Sequence, residues 1–291
     1  EPLPPGMQVW ELRVHGLRGG HSGVNIHEGR GNAIKLLVRV LQALRAAALP
    51  WRLASLDGGS ARNALPREAV ARVAWLPEQD SAVQAAIARL DAELRDEWAQ
   101  TEPGLRIQLR PGQGDAVLTL PEQHTWLDSL HAAPHGVWRM SPSFPGVVET
   151  SNNLGMVALA PQGGHANFMV RSLRDAAAQA LADEIVSLWR LSGTPAVCAG
   201  HYPGWTPRAD SPLLTLCQAV YQDTFQQDSH VQVIHAGLEC GLIAAQYPDM
   251  DIVSFGPTIR GAHAPGEAVE VESVARCWQL LGAILAATTR P

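Results

Sequence analysis

Apolar and polar positions along this chain fall into two alternating periods, and the switch between them lays out the elements. Residues 9–14 (VWELRV) alternate as a strand does, and a glycine-rich loop, GLRGGHSGVNIHEGRG, follows from Gly16 to Gly31. From Asn32 to Ala48 the apolar residues Ile34, Leu37, Val38, Leu41 and Leu44 recur at helical spacing, and Pro50 closes the segment. Residues 51–56 and 68–75 read as strands joined by DGGSARNALPR, and 80–100 as a second amphipathic helix. The stretch 105–120 predicts two strands broken by PGQGD, a helix runs from Pro121 to about Ala132, and strands return at 153–160 and 166–171. An alanine-rich helix spans 172–191.

The pattern then changes. Four prolines and three glycines crowd SGTPAVCAGHYPGWTPRADSP, which places a domain boundary near residue 200. Beyond it the order is helix (211–226), strand (230–234), helix (239–246), strand (251–255), a loop and a closing helix (272–288). The first part predicts an α+β layer of sheet and helices, the second a piece of an α/β sheet. No internal repeat or low-complexity tract interrupts either.

Composition narrows the function. The 291 residues carry 22 Lys and Arg against 28 Asp and Glu, a net charge of −6, with no basic block, so nucleic acid and anionic membranes are excluded as partners. Four cysteines, Cys198, Cys217, Cys240 and Cys277, form no CxxC pair and are expected as free thiols in a reducing cytoplasm. No run of eighteen apolar residues exists, and the first residues lack the order of a signal peptide. The chain opens on Glu1 just before a strand, which leads us to expect residues upstream of it.

Several catalytic patterns fail on inspection. GGHSGV misplaces the second glycine of GxSxG, HEGRG lacks the second histidine of HExxH, and GLRGGHSG lacks the GK[ST] of a phosphate loop. What remains is a set of separate candidates, each with a plain structural alternative. His263, in SFGPTIRGAHAPGEAVE, follows an apolar strand and is either a zinc ligand, with Glu267 orienting its loop, or a surface histidine in a tight turn. In IHAGLECG, near His235, Gly237 to Glu239 sets backbone N–H groups and a carboxylate at a helix start, which suits a substrate terminus or simply the helix dipole. His21 lies among glycines where an imidazole could donate to a developing oxyanion or cap the loop. Asn63 and Arg171 carry groups suited to a peptide carbonyl and carboxylate, and are otherwise surface polars.

Read together and in order, GLRGGHSGVNIHEGRGNA, GGSARNALPREA, VETSNNLGMV, HYPGWTPRADSP, IHAGLECG, YPDMDIVSFGPTIRGAHAPGE and VESV resemble the aminoacyl-histidine dipeptidase (cytosol non-specific dipeptidase) family from end to end. That family is grouped with peptidase T, carboxypeptidase G and carnosinase among the two-zinc peptidases. The resemblance implies a lid or dimerisation domain over residues 1–200, a β-sheet with helices on one face, and the C-terminal part of an α/β catalytic domain over 201–291. It implies His263 as a metal ligand, His21 as the lid histidine at the scissile carbonyl, and Asn63 and Arg171 as substrate contacts. It further implies two zinc ions, with manganese or cobalt as substitutes, a dipeptide substrate and a homodimer formed through the lid. The family's HxD motif and Glu-Glu pair are not in this sequence, so the chain by itself is expected to be inert. An N-acyl amino acid deacylase of the same fold, or a non-catalytic dimerisation module, is the alternative.

Overall fold

A computed structural model describes residues 1–205, 208, 210–233, 239–261 and 266–288. In chain order the elements are β1 (Gln8–His15), β2 (Gly20–His21), α1 (Ala33–Ala46), β3 (Arg52–Gly58), β4 (Ala64–Leu65), β5 (Ala69–Trp75), α2 (Asp80–Glu97), β6 (Arg106–Pro111) and α3 (Leu120–Ala132). They continue with β7 (Gly136–Met140), β8 (Val148–Ala160), β9 (Gly163–Ser172), α4 (Asp175–Leu191), α5 (Pro212–Phe225), α6 (Glu239–Gln246), β10 (Ile259–Arg260), β11 (Ala268–Val269) and α7 (Val271–Thr288). The fold is thus mixed α and β.

The seven-stranded sheet runs β6-β1-β5-β3-β8-β7, with β9 also paired to β8. Antiparallel registers from Gln8↔Trp75 to Val14↔Ala69 and from Trp10↔Pro111 to His15↔Arg106 make β1 an interior strand. Its inward side chains Leu12 and Val14 meet the buried face of α1, where Ile34, Leu37, Leu41 and Leu44 are all fully buried. Alternation of period two on the strand and 3.6 on the helix makes the two faces fit. The α1 start is fixed by Asn32, whose side-chain oxygen accepts from the N–H groups of Ile34 (2.9 Å) and Lys35 (3.2 Å). Trp10 stacks on Trp75 with ring centroids 5.5 Å apart.

The chain divides into two compact units. One comprises Glu1–Trp138, Ser151–Val170 and Gln179–Ala199, the other Arg139–Thr150, Arg171–Ala178 and Gly200–Pro291. In the second, α5 packs on α7, and Arg276 lies 4.7 Å from the centre of the Phe225 ring. No helix of the described residues is long and apolar enough to cross a membrane. The four cysteines are free thiols.

Four expectations from the pattern are corrected. Of the two strands expected in 105–120 only β6 forms, because 112–119 meets its neighbours only at the isolated Pro2↔Ala116 bridge and through single backbone bonds such as Leu118 N–H to the Leu53 carbonyl (2.8 Å), too few for a ladder. The described residues of 230–234 and 251–255 form no strand, since a strand exists only where a neighbour completes its ladder and none runs beside them. β8 starts at Val148, five residues early, because Glu149, Thr150, Ser151, Asn152 and Asn153 are all buried and polar and give no alternation to read. β7 had no period-two signal, its last four residues being exposed.

Candidate functional site

The glycine-rich loop after β1 is built to hold one short strand still. Buried Glu102 closes it at both ends: one carboxylate oxygen accepts from the Arg18 N–H (2.7 Å), the other from the Gly31 N–H (2.8 Å). Gly16 and Gly104 cross so closely that a Cβ on either would fall within 2.4 Å of the other's carbonyl oxygen. Inside the loop the Arg30 guanidinium donates to the Gly19 carbonyl (2.5 Å). The Asn25 side chain accepts from the His21 N–H (2.9 Å).

This bracing presents β2 to β4 as a two-residue antiparallel ladder, Gly20 opposite Leu65 and His21 opposite Ala64. The next residues continue it, with the Ser22 N–H donating to the Asn63 carbonyl at 2.8 Å. The segments of His21 and Asn63, far apart in sequence, thereby run side by side, with Asn63 opposite Ser22 and both His21 and Asn63 half-buried. The His21 Nδ1 accepts from the N–H groups of Gly23 and Val24, each at 3.1 Å. An Nδ1 used as an acceptor leaves the proton of the neutral ring on Nε2, so the imidazole is held in the tautomer whose Nε2 is a donor.

The segment carrying Asn63 is clamped from below by β8. The Asn153 side chain donates to the carbonyls of Arg62 (2.9 Å) and Ala64 (2.8 Å), the two flanks of Asn63. A Cβ at Gly155 would come within 2.7 Å of the Arg62 Cα, and one at Gly59 within 1.9 Å of the Gly155 carbonyl oxygen. Replacing Asn153 with alanine is expected to lower stability by about 1–2 kcal/mol, and to raise amide exchange across residues 61–65 while leaving the α1 amides protected. Hydrogen exchange read residue by residue checks both.

A second buried network ties the same strand to α1. The Asn32 side chain donates to the Leu154 carbonyl (2.8 Å), and His135 Nδ1 lies 3.3 Å from both the Asn32 side-chain nitrogen and the Leu154 N–H. Burial, with the Lys35 charge nearby, pushes the His135 pKa from 6.5 down to about 4. Lys35 itself is drawn down to about 8 by burial, and its ammonium caps the end of α3 by donating to the carbonyls of Leu130, His131 and Ala133 at 2.6–2.8 Å.

Arg171 and Glu239 belong to the second unit. Arg171 is the penultimate residue of β9 and is half-buried, while Glu239 is the exposed first residue of α6. The HYPGW segment lies between their two elements. The Gly204 N–H donates to Asp175 (2.7 Å), a Cβ on Gly204 would meet the Leu173 carbonyl oxygen at 2.7 Å, and one on Gly241 the Pro203 carbonyl oxygen at 2.5 Å. His235, Gly237 and His263 lie outside the described residues. A cavity of about 670 Å³ between α5, α7 and the segments 229–233 and 252–258 is lined by none of the candidate residues. Sequence reasoning missed Glu102, Asn153 and Asn32, all buried polar groups; Glu102 and Asn32 stand beside the loop glycines Gly104 and Gly31, while Asn153 lies inside β8.

Residues 12–102 match the model of the peptidase dimerisation domain. The sequence is 41% identical to the cytosol non-specific dipeptidase of Escherichia coli over 286 residues, which is 98% of this chain and 59% of that protein. The fold superposes on the aminoacylhistidine dipeptidase of Vibrio alginolyticus with a TM-score of 0.86 and 38% identity, over 99% of this chain and 59% of that one. The chain is similar to both of these dipeptidases along nearly its whole length. It spans about three fifths of the length of these relatives. Metal dependence is general among such dipeptidases. Among the described residues, no three His, Cys, Asp or Glu side chains converge as a metal site.

Proposed function

We propose that this chain forms the substrate-holding part of a zinc-dependent dipeptidase that hydrolyses unblocked dipeptides, Xaa-His above all, in the cytoplasm. The observation that carries the reading is the braced β2–β4 ladder, which holds His21 with Nε2 as its donor. A fixed donor of this kind stabilises the oxyanion that develops on a scissile carbonyl, because it needs no reorganisation when charge appears. Asn63 holds the peptide by its amide, and Arg171 binds the terminal carboxylate with the planar fork that a guanidinium offers. The start of α6, with Gly237 before it and Glu239 in its first turn, receives the other end of the substrate.

In this reading residues 1–200 are the lid, through which two copies pair as a homodimer, and 201–291 belong to the catalytic domain, with His263 as its zinc ligand. Support comes from the dipeptidase names of both relatives and from the match to the dimerisation domain.

The test is to assay the full-length gene product against an unblocked Xaa-His dipeptide and against an N-acyl amino acid, with chelator and with zinc restored. Dipeptide cleavage that is lost to chelator and regained with zinc is expected. Cleavage of the N-acyl amino acid alone would make the protein a deacylase.

A further inference from the structure

Glu149 is a carboxylate where the fold has no evident structural need of one. It is 1% exposed near the start of β8, and its Oε1 accepts no hydrogen bond. Its nearest charged neighbours are two arginines, each reaching it through Nε: Arg139 at 3.4 Å from Oε1 and Arg174 at 3.5 Å from Oε2. Both distances exceed the roughly 2.7–2.9 Å of a charge-assisted hydrogen bond. The guanidinium groups themselves face outward, with side chains 51% and 60% exposed. A buried carboxylate left without hydrogen bonds is unfavourable, and an apolar residue of the same volume would fill the site as well.

The hairpin register brings a third arginine to this group. The Leu173 N–H donates to the Glu149 carbonyl (2.9 Å), and the hydroxyls of Thr150 and Ser172 meet at 2.8 Å. Residue 149 therefore stands opposite 173, and 150 opposite 172. Since side chains alternate, Glu149 and Arg171 project from the same face as diagonal neighbours. One buried negative charge thus lies within 3.5 Å of two cations, with Arg171 diagonal to it across the hairpin.

We infer that Glu149 is a positioning residue that orders Arg139, Arg171 and Arg174 to receive the free carboxylate of the substrate. The inference rests on the proposed dipeptidase reading and deepens it, since it makes recognition of an unamidated C-terminus a property of the cluster and not of Arg171 alone. Glu149 touches no substrate; it acts on Arg139 and Arg174 through their Nε atoms, on the strand face that Arg171 shares. Arg139 and Arg174 extend the charge that a carboxylate meets.

The experiment compares a dipeptide with its C-terminal amide as substrates of the full-length gene product, for the wild type, Glu149→Gln and Arg174→Met. In both variants KM for the free dipeptide is expected to rise about tenfold with kcat within about twofold, the loss of roughly one charge-assisted contact. The preference for the dipeptide over its amide should fall by the same factor. A residue that merely supports the fold would change both substrates alike, so an unaltered preference in Arg174→Met, whose side chain is too exposed to be needed for folding, overturns the inference whether or not Glu149→Gln folds. Wild-type protein that cleaves neither substrate would instead overturn the dipeptidase reading, and the inference with it.

Discussion

Lowering the pH from 7 to 4 is expected to remove about 2–3 kcal/mol from the stability of this protein, and replacing His135 with asparagine is expected to abolish most of that dependence. The free imidazole takes a proton near pH 6.5, whereas the folded site, through burial and the nearby Lys35 charge, admits one only near 4. The unfolded chain therefore binds the extra proton throughout the interval, so the contribution of neutral His135 is complete above pH 6.5 and is lost as the pH falls toward 4. Partial exposure of the ring places the loss somewhat below what the full displacement would give. Protonation also removes the acceptor at Nδ1, which faces both the Leu154 N–H and the Asn32 side chain. Asparagine keeps an acceptor near that position and has nothing to titrate. Urea unfolding followed at half-unit steps between pH 7 and 4.5, above the range where most carboxylates protonate, checks it. Parallel curves for wild type and His135→Asn would refute the assignment.

The second large effect concerns turnover. His21→Ala in the full-length gene product is expected to lower kcat for a dipeptide about a hundredfold, the usual loss when one oxyanion donor is removed, while zinc content and melting temperature stay close to wild type. The reason is local. The His21 ring takes the N–H groups of Gly23 and Val24, but the rest of its loop is braced by Glu102, Arg30 and Asn25 through groups other than the ring. Glutamine at this position keeps a donor on a longer side chain without the Nδ1 acceptor that fixes its direction, so partial recovery of kcat is expected. A rise in KM alone, with kcat unchanged, would recast His21 as a binding residue and remove it from the chemistry.

Where long apolar periods exist, the fold was legible. The α1 stripe from Ile34 to Leu44 and the alternation across Leu12 and Val14 carry enough repeats to define a face, and those faces form the core. The β2–β4 ladder was not legible, because two residues per strand contain no period. Nor was the run from Glu149 to Asn153: a strand whose polar residues are buried looks like surface in the sequence, and only the carbonyls of Arg62 and Ala64 reveal what Asn153 is for. His21 and Asn63 could be named as chemically apt groups, but their adjacency depends on a pairing no local pattern encodes. The arginine cluster escaped for a related reason, since Arg139 and Arg174 lie 35 positions apart and meet only at one carboxylate.

The crossing of Gly59 over Gly155, with Asn153 bonded to both flanks of Asn63, also limits how this protein can diverge. Many enzymes acquire new substrates by lengthening or reshaping the loop that meets the ligand. Here a side chain at either glycine would collide with main chain, and an insertion would break the bonds to Asn153. Variation among descendants of this sequence should therefore appear as exchanges of the side chain at position 63 on an unaltered main-chain path, and libraries built to redirect specificity have more to gain from that side chain than from the length of its loop.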